Sequence, residues 1–161
     1  MFFLYFIPKI NLYYALEEQL HSFDITLSDE ALVEHPFSLE IKNPTIALKA
    51  VKTAEVSQIS INPFLFFNTI TAKNITLNAL VKTYAPQKIQ EVTLHYTLLN
   101  PLHITADAQG DFGKATIDYA LTTSHLELVL KPSQEMLTHY RNSLRELKKQ
   151  KNGEYIYAKN F

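Results

Sequence analysis

The sequence predicts a mainly β protein of the α+β class: a curved antiparallel meander sheet with an N-terminal amphipathic helix, and a C-terminal helix followed by a last short strand. Two observations support this prediction. Between residues 24 and 131, apolar and polar residues alternate in short runs that Pro, Asn or Gly interrupts, which is typical of antiparallel strands joined by turns. Helical spacing of apolar residues occurs only on either side of this region.

Composition limits the class of protein before any motif is considered. The 161 residues suit one domain, and a net charge of −1 provides no field that would gather nucleic acid, so no nucleic-acid partner is expected. The absence of cysteine excludes disulfides, zinc-thiolate sites and cysteine nucleophiles. The three glycines fit no phosphate-binding loop. We therefore expect a single β-rich domain over residues 10–161, preceded by an apolar N-terminal segment over residues 1–9.

The N-terminal segment is apolar and uncharged from residue 1 to residue 7. Seven residues are too few to cross a bilayer, which takes about 20. The side chains of Phe2, Phe3, Leu4, Tyr5 and Phe6 nevertheless need a partner, because exposing so much apolar surface to water is unfavourable. Two alternatives stay open: the segment packs into the core, or it is the remnant of a membrane anchor and these five residues contact the membrane.

The first helix is predicted between Pro8 and Ser22. Apolar residues there are spaced by four or three positions, and charged and amide side chains lie between them. The spaced residues are Leu12, Leu16, Leu20 and Phe23.

The strands follow as short alternating runs. Pairs such as Asn43 and Pro44, or Asn100 and Pro101, mark the turns between them. The apolar positions, in order, are Leu39 and Ile41; Ile46 and Leu48; Val56, Ile59 and Ile61; Ile70 and Ala72; Ile75 and Leu77; Val92, Leu94, Tyr96 and Leu98; Leu102, Ile104, Ala106 and Ala108; Ala115, Ile117, Tyr119 and Leu121; and Leu126, Leu128 and Leu130.

The resulting sheet is apolar on one face only, and the sequence offers few elements to cover that face. The candidates are the first helix, the segment over residues 64–67 and the C-terminal helix. If they suffice, the protein has an ordinary closed core. If they do not, an apolar groove remains for lipid or for a partner protein.

The C-terminal helix is predicted from Ser133, which suits an N-cap, to about Gln150, and the turn at Asn152 and Gly153 then leads into a last strand. Between residues 131 and 161, seven Lys or Arg face three Glu, a net charge of +4. The candidate surface for a partner or for lipid headgroups comprises Arg141, Arg145, Lys148, Lys149 and Lys151. The alternative is a helix whose cations suit the negative end of its own dipole.

The sequence contains few residues that indicate a catalytic or metal site. His95 and His103 would face each other on the polar side of a hairpin with Asp107 close by, but a third metal ligand is not specified. No serine lies in a nucleophile elbow, and the carboxylates are scattered. We therefore predict no enzymatic activity, no catalytic residue, no metal and no cofactor.

The layout resembles the type II secretion system protein N family, which is distantly related to AsmA-like envelope proteins. The similarity lies in the apolar start, one helix, a run of short strands and a basic C-terminal helix, together with three short motifs. These motifs are Gly110, Asp111, Phe112 and Gly113; residues 128–133; and Asn152, Gly153, Glu154 and Tyr155.

The resemblance implies a non-enzymatic protein of a Gram-negative cell, anchored in the inner membrane with a periplasmic β domain. Its partners would be other secretion-system or envelope proteins, and inner-membrane lipid. Its role would be protein transport, as an assembly component of the secretion apparatus. The alternative is a lipid-binding or lipid-transfer module of the AsmA-like kind, with an apolar groove on the sheet.

Overall fold

The computed structural model describes residues 9–22, 24–28, 30–64 and 66–161, and it confirms a mainly β fold. The helices in this part of the chain are α1 (Lys9–Ser22), α2 (Gln134–His139) and α3 (Arg141–Leu144), and a 3₁₀ helix (Ala79–Thr83) joins two strands. The strands are β1 (Ile25–Ser28), β2 (Ala31–Glu34), β3 (Leu39–Lys42), β4 (Thr45–Leu48), β5 (Val51–Pro63), β6 (Phe67–Leu77), β7 (Lys88–Thr97), β8 (His103–Gly110), β9 (Gly113–Ala120), β10 (His125–Pro132), β11 (Lys148–Lys149) and β12 (Tyr155–Asn160).

All twelve strands belong to one antiparallel sheet. From β5 to β10 each strand pairs with the next along the chain, as predicted, and β12 then pairs with β10 and with the two-residue strand β11. The other edge of β5 divides, because β3 pairs with its second half and β4 with its first half. Asn43 and Pro44 lie at this division and exchange backbone hydrogen bonds with Ser57 and Val56.

Cross-strand register collects the apolar residues on one side of the sheet. One row of partners from β5 to β10 is Ile61, Ile70, Leu94, Ala106, Ile117 and Leu128, and the next is Ile59, Ala72, Val92, Ala108, Ala115 and Leu130. The row between them, whose side chains emerge on the other side, is Ser60, Thr71, Thr93, Asp107, Thr116 and Val129. We call the two sides the apolar face and the polar face.

Two irregularities keep the apolar residues on one face where their spacing changes from two to three. The first irregularity falls between Val56 and Ile59 in β5. Opposite this point, the facing strand β6 contains Asn74, whose backbone is in the left-handed region with φ at +52°. In β7 the register shifts after Ile89, which allows Val92 to share its face. The apolar spacing in the sequence therefore reflects local distortions of a single long sheet.

The core consists of two separate clusters at opposite ends of the strand order. The first lies beneath α1 and contains Tyr13, Leu27, Leu39, Ile41, Ala54, Val56, Ile59 and Ile75 as its buried members. The second lies beneath α2 and α3 and contains Ala115, Leu130, Met136 and Leu144. Each cluster is covered by helix at its own end of the sheet.

The predicted C-terminal helix to Gln150 is wrong in its extent. The segment forms two short helices, because Tyr140 leaves helical geometry, with φ −121° and ψ +32°, between α2 and α3. The next basic residues form β11, which pairs with β12 through the turn at Asn152 and Gly153. The hairpin of β11 and β12 satisfies the backbone groups of this stretch at the sheet edge, so strand pairing overrides the helical pattern.

The anchor hypothesis concerns residues that the structure does not describe. Phe2, Phe3, Leu4, Tyr5 and Phe6 lie outside the described residues, so their contact with a membrane stays a prediction. Within the described ranges, no helix combines the length and the apolar character that crossing a bilayer requires.

Candidate functional site

Among the described residues, no helix packs extensively on one part of the apolar face, where Leu94, Ala106 and Ile117 lie between Ile70 of the first cluster and Leu128 of the second. This part contains seven side chains of β7, β8, β9 and β10 that are largely half-buried and belong to neither cluster. These residues, which we call the apolar strip, are Leu94, Tyr96, Ile104, Ala106, Ile117, Tyr119 and Leu126. The strip is continuous, because Leu94 pairs with Ala106 and Ala106 with Ile117 across the strands.

The helices leave the strip open because they pack elsewhere. α1 contacts β1 and β2, and α2 contacts β10 and α3; among the described residues, no helix packs extensively on β7 or β8. The predicted cover over residues 64–67 is also wrong for its described residues, since Phe64 and Phe66 are exposed in the β5–β6 turn and Phe67 is exposed at the start of β6. The alternative of an apolar face left open is therefore the one that the geometry favours.

A cavity of about 470 Å³ lies between α3 and the hairpin of β11 and β12. Its floor is apolar, and three cations lie around its opening. The lining residues, which we call the basic pocket, are Leu137, Arg141, Leu144, Arg145, Leu147, Lys149 and Tyr155. An apolar floor beneath cations suits a ligand that has both a hydrocarbon part and an anionic group.

The structure brings together three of the five cations that the sequence analysis selected. Arg141, Arg145 and Lys149 line the pocket, and all three are exposed. Lys148 precedes Lys149 in β11 and therefore projects from the opposite side of the strand, while Lys151 lies in the hairpin turn. Neither of these two lines the pocket.

The pocket cations are electrostatically available. Within the described part of the chain, none of the three forms an ion pair with a carboxylate. The Nε of Arg141 donates to the Leu137 carbonyl oxygen at 3.0 Å, and the Nζ of Lys149 lies 6.0 Å from the Tyr155 ring centroid. These contacts position the side chains and leave their positive charge uncompensated.

Glu154, the residue before Tyr155 of the pocket, has partners other than the pocket cations. The Oε1 of Glu154 lies 3.3 Å from the Nζ of Lys131, and its Oε2 accepts from the Nδ2 of Asn152 at 2.8 Å. The Asn152 hydrogen bond, and then Lys131, lower the pKa of Glu154 below its ordinary value. Glu154 therefore stays ionised and paired with Lys131.

The histidines do not form a metal site. The β7–β8 turn spans residues 98–102, so His95 pairs with Thr105 and His103 pairs with Ala120, and the predicted facing of the two histidines is wrong. The Nε2 of His95 lies 3.7 Å from Asp107, whereas the Nδ1 of His103 lies 2.9 Å from Asp118. In the described ranges, no three His, Asp or Glu side chains come together to hold a metal ion.

Sequence analysis selected the cations of the pocket but missed its apolar floor. Leu137, Leu144 and Leu147 have the spacing of the buried side of one helix, and Tyr155 has that of a strand residue, so the sequence alone does not mark them as the floor of a pocket.

Comparison with known proteins adds no relative. No family model matches the chain, and no curated protein and no solved structure is significantly similar to it.

Proposed function

We propose that this protein is a non-enzymatic lipid-binding module. The apolar strip would hold acyl chain, and the basic pocket would hold an anionic headgroup. The observation that carries the proposal is that, among the described residues, no helix packs extensively on β7 or β8, between two helix-covered clusters. Soluble domains bury apolar sheet faces unless a ligand or a partner occupies them.

Strip and pocket are close enough to serve one amphiphile. Leu128 pairs with Ile117 of the strip and packs in the cluster that also contains Leu137 of the pocket floor. The strip crosses four strands, roughly 14 Å at the usual spacing between strands. An extended hydrocarbon chain can therefore run from the pocket across the sheet without meeting a charged side chain on the apolar face.

The direct test is binding of a fluorescent fatty acid to the purified chain. Ile117→Glu places a charge in the strip and should weaken binding on the order of tenfold or more, because the carboxylate must be desolvated when the ligand covers it. Val129→Glu is the matched control: Val129 is also half-buried, but it lies on the polar face beside Lys131. Equal affinities of the two variants for the fatty acid would refute the proposal that the strip binds the acyl chain.

A second comparison tests the pocket. Arg145→Glu should weaken binding of an anionic phospholipid more than binding of a zwitterionic one, whereas Lys151→Glu, outside the pocket, should affect both equally. Far-ultraviolet circular dichroism checks that each variant is folded. If Ile117→Glu does not fold, Ile104→Gln provides an uncharged alternative in the same strip.

A second candidate function is an assembly component of a secretion apparatus in the periplasm, as the resemblance to the type II secretion system protein N family implies. One observation favours it. β11 pairs with only Tyr155 and Ile156, so within the described chain no strand covers the outer edge of the last four residues of β12. An uncovered edge can accept a strand of another protein.

The two functions predict different results. Co-purified lipid that Ile117→Glu abolishes would favour the lipid-binding module. Crosslinks from a photoreactive residue at Ala158 to envelope proteins, lost when the β12 edge is blocked by proline, would favour the assembly component.

A further inference from the structure

One end of the sheet carries a row of exposed apolar turns. The β5–β6, β7–β8 and β9–β10 turns all lie at this end, and so does the end of β12. Their large exposed apolar residues, which we call the rim, are Phe64, Phe66, Phe67, Leu98, Leu99, Leu102, Leu121 and Phe161.

Backbone hydrogen bonds join the turns into one continuous row. The N–H of Leu98 donates to the Phe66 carbonyl oxygen at 3.0 Å, and the N–H of Leu121 donates to the Leu102 carbonyl oxygen at 2.9 Å. The N–H of Phe161 donates to the Ser124 carbonyl oxygen at 3.1 Å. The rim is therefore a fixed feature of the sheet end and spans its strands from β5 to β12.

The hairpin ends that form the rim contain no full charge. No Asp, Glu, Lys or Arg occurs in residues 56–72, 92–106 or 119–126. The charged residues next to these ranges are Glu55, Lys73, Glu91, Asp107, Asp118 and Glu127. At the same end of the sheet, Glu34 ends β2 and the Nζ of Lys159 lies 4.9 Å from the Phe161 ring centroid. The three turns themselves expose large apolar side chains and no full charge, which fits an environment of hydrocarbon.

The first helix begins at the same end. The N–H of Ile10 donates to the Oε1 of Glu34, the last residue of β2, at 3.1 Å, and the β2–β3 turn lies at the rim end of the sheet.

We propose that the rim docks this protein, end-on, onto the surface of a lipid bilayer. Turn tips that carry exposed Phe and Leu and no full charge suit insertion among lipid chains. The apolar strip adjoins the rim, because Tyr96 and Ile104 lie only two residues from the turn residues Leu98 and Leu102. Docking places the open end of the strip at the membrane. The rim does not depend on the strip holding a ligand, so this inference goes beyond the proposed function.

The experiment is co-sedimentation of the full chain with phosphatidylcholine vesicles. Leu99→Glu should lower vesicle affinity by about tenfold or more. Leu80→Glu is the matched control, since Leu80 and Leu99 are each 74 % exposed but Leu80 lies in the 3₁₀ helix at the opposite end of the sheet. Both side chains are largely solvated, so neither substitution should change the folded state. Leu102→Ser should reproduce the loss without adding a charge.

Several outcomes would overturn the proposal. Equal vesicle binding by the two glutamate variants would assign any binding to residues outside the rim, such as the N-terminal segment. Binding that disappears as salt is raised would assign it to the basic pocket, because apolar insertion is insensitive to salt. A change of oligomeric state in Leu99→Glu without a change in vesicle binding would identify the rim as a contact between copies. Fatty-acid binding should persist in Leu99→Glu, which separates failure of the rim from failure of the proposed function.

Discussion

Replacing Gly113 with alanine should destabilise this protein far more than the same replacement at Gly153. A Cβ at Gly113 would lie 2.1 Å from the Lys131 carbonyl oxygen and 2.7 Å from the Ser133 nitrogen, and the residue has φ at +115°. Gly153 also has a positive φ, +86°, but no heavy atom lies within 4 Å of its added Cβ. The two positions thus share backbone strain and differ in steric clash.

The expected magnitudes follow from these two contributions. A positive φ costs a non-glycine residue roughly 1–2 kcal/mol, which is the whole effect expected at Gly153. At Gly113 both nearby atoms belong to the backbone and cannot rotate away, so the backbone at the C-terminal end of β10 must move. That movement weakens the Gly113–Pro132 pairing and the 2.8 Å hydrogen bond from the Ser133 N–H to the Phe112 carbonyl oxygen. With about 1 kcal/mol for each lost hydrogen bond, we expect a total of about 3 kcal/mol or more.

The assay is equilibrium unfolding in urea, followed by circular dichroism, for both alanine variants and the unmodified chain. Gly113→Ala should also disturb the basic pocket, because Ser133 caps α2 by accepting from the Met136 N–H at 3.2 Å. Equal losses of unfolding free energy in the two variants would show that the clash is relieved without cost, and the reasoning from backbone contact would be wrong.

Two further predictions concern the first cluster. Ile41→Ala should cost roughly 2–5 kcal/mol of unfolding free energy, because Ile41 is fully buried, whereas Leu48→Ala at an exposed position should cost less than about 1 kcal/mol; urea unfolding measures both. Burial first, and then its hydrogen bond to the Glu30 carboxylate, raise the pKa of Tyr13 above its ordinary value of 10.0. The native state therefore retains this proton at a pH where the unfolded chain releases it, and stability should fall as pH rises above about 10. Stability measured against pH should fall less steeply in Tyr13→Phe, and an unchanged slope would contradict the assignment.

Local patterns in the sequence were sufficient for most of the strands. Alternation placed Leu94 and Tyr96 on one face and His95 on the other, and the structure confirms this arrangement. Turn residues also located the β8–β9 turn at Gly110 and Gly113. These predictions succeed because the pleat of a strand and the φ of a turn residue are properties of a few consecutive residues.

Local patterns failed where contacts between elements decide the outcome. The helical spacing up to Gln150 is real, but pairing between β11 and β12 outweighs it at Lys148 and Lys149. The buried aromatic residue of α1 is Tyr13, which lies outside the predicted apolar stripe, because its hydroxyl donates to Glu30. The predicted histidine pair is wrong because the five-residue turn aligns His95 with Thr105 and not with His103.

The sequence by itself determined the meander of strands from β5 to β10, the one-sided distribution of apolar residues and the concentration of cations near the C-terminus. Only the tertiary structure decided which part of the apolar face stays open, which three cations share a pocket, and that four turns separated along the chain align at one end of the sheet. The physical reason is that alternation fixes the face on which a side chain lies, whereas covering that face depends on where distant helices pack.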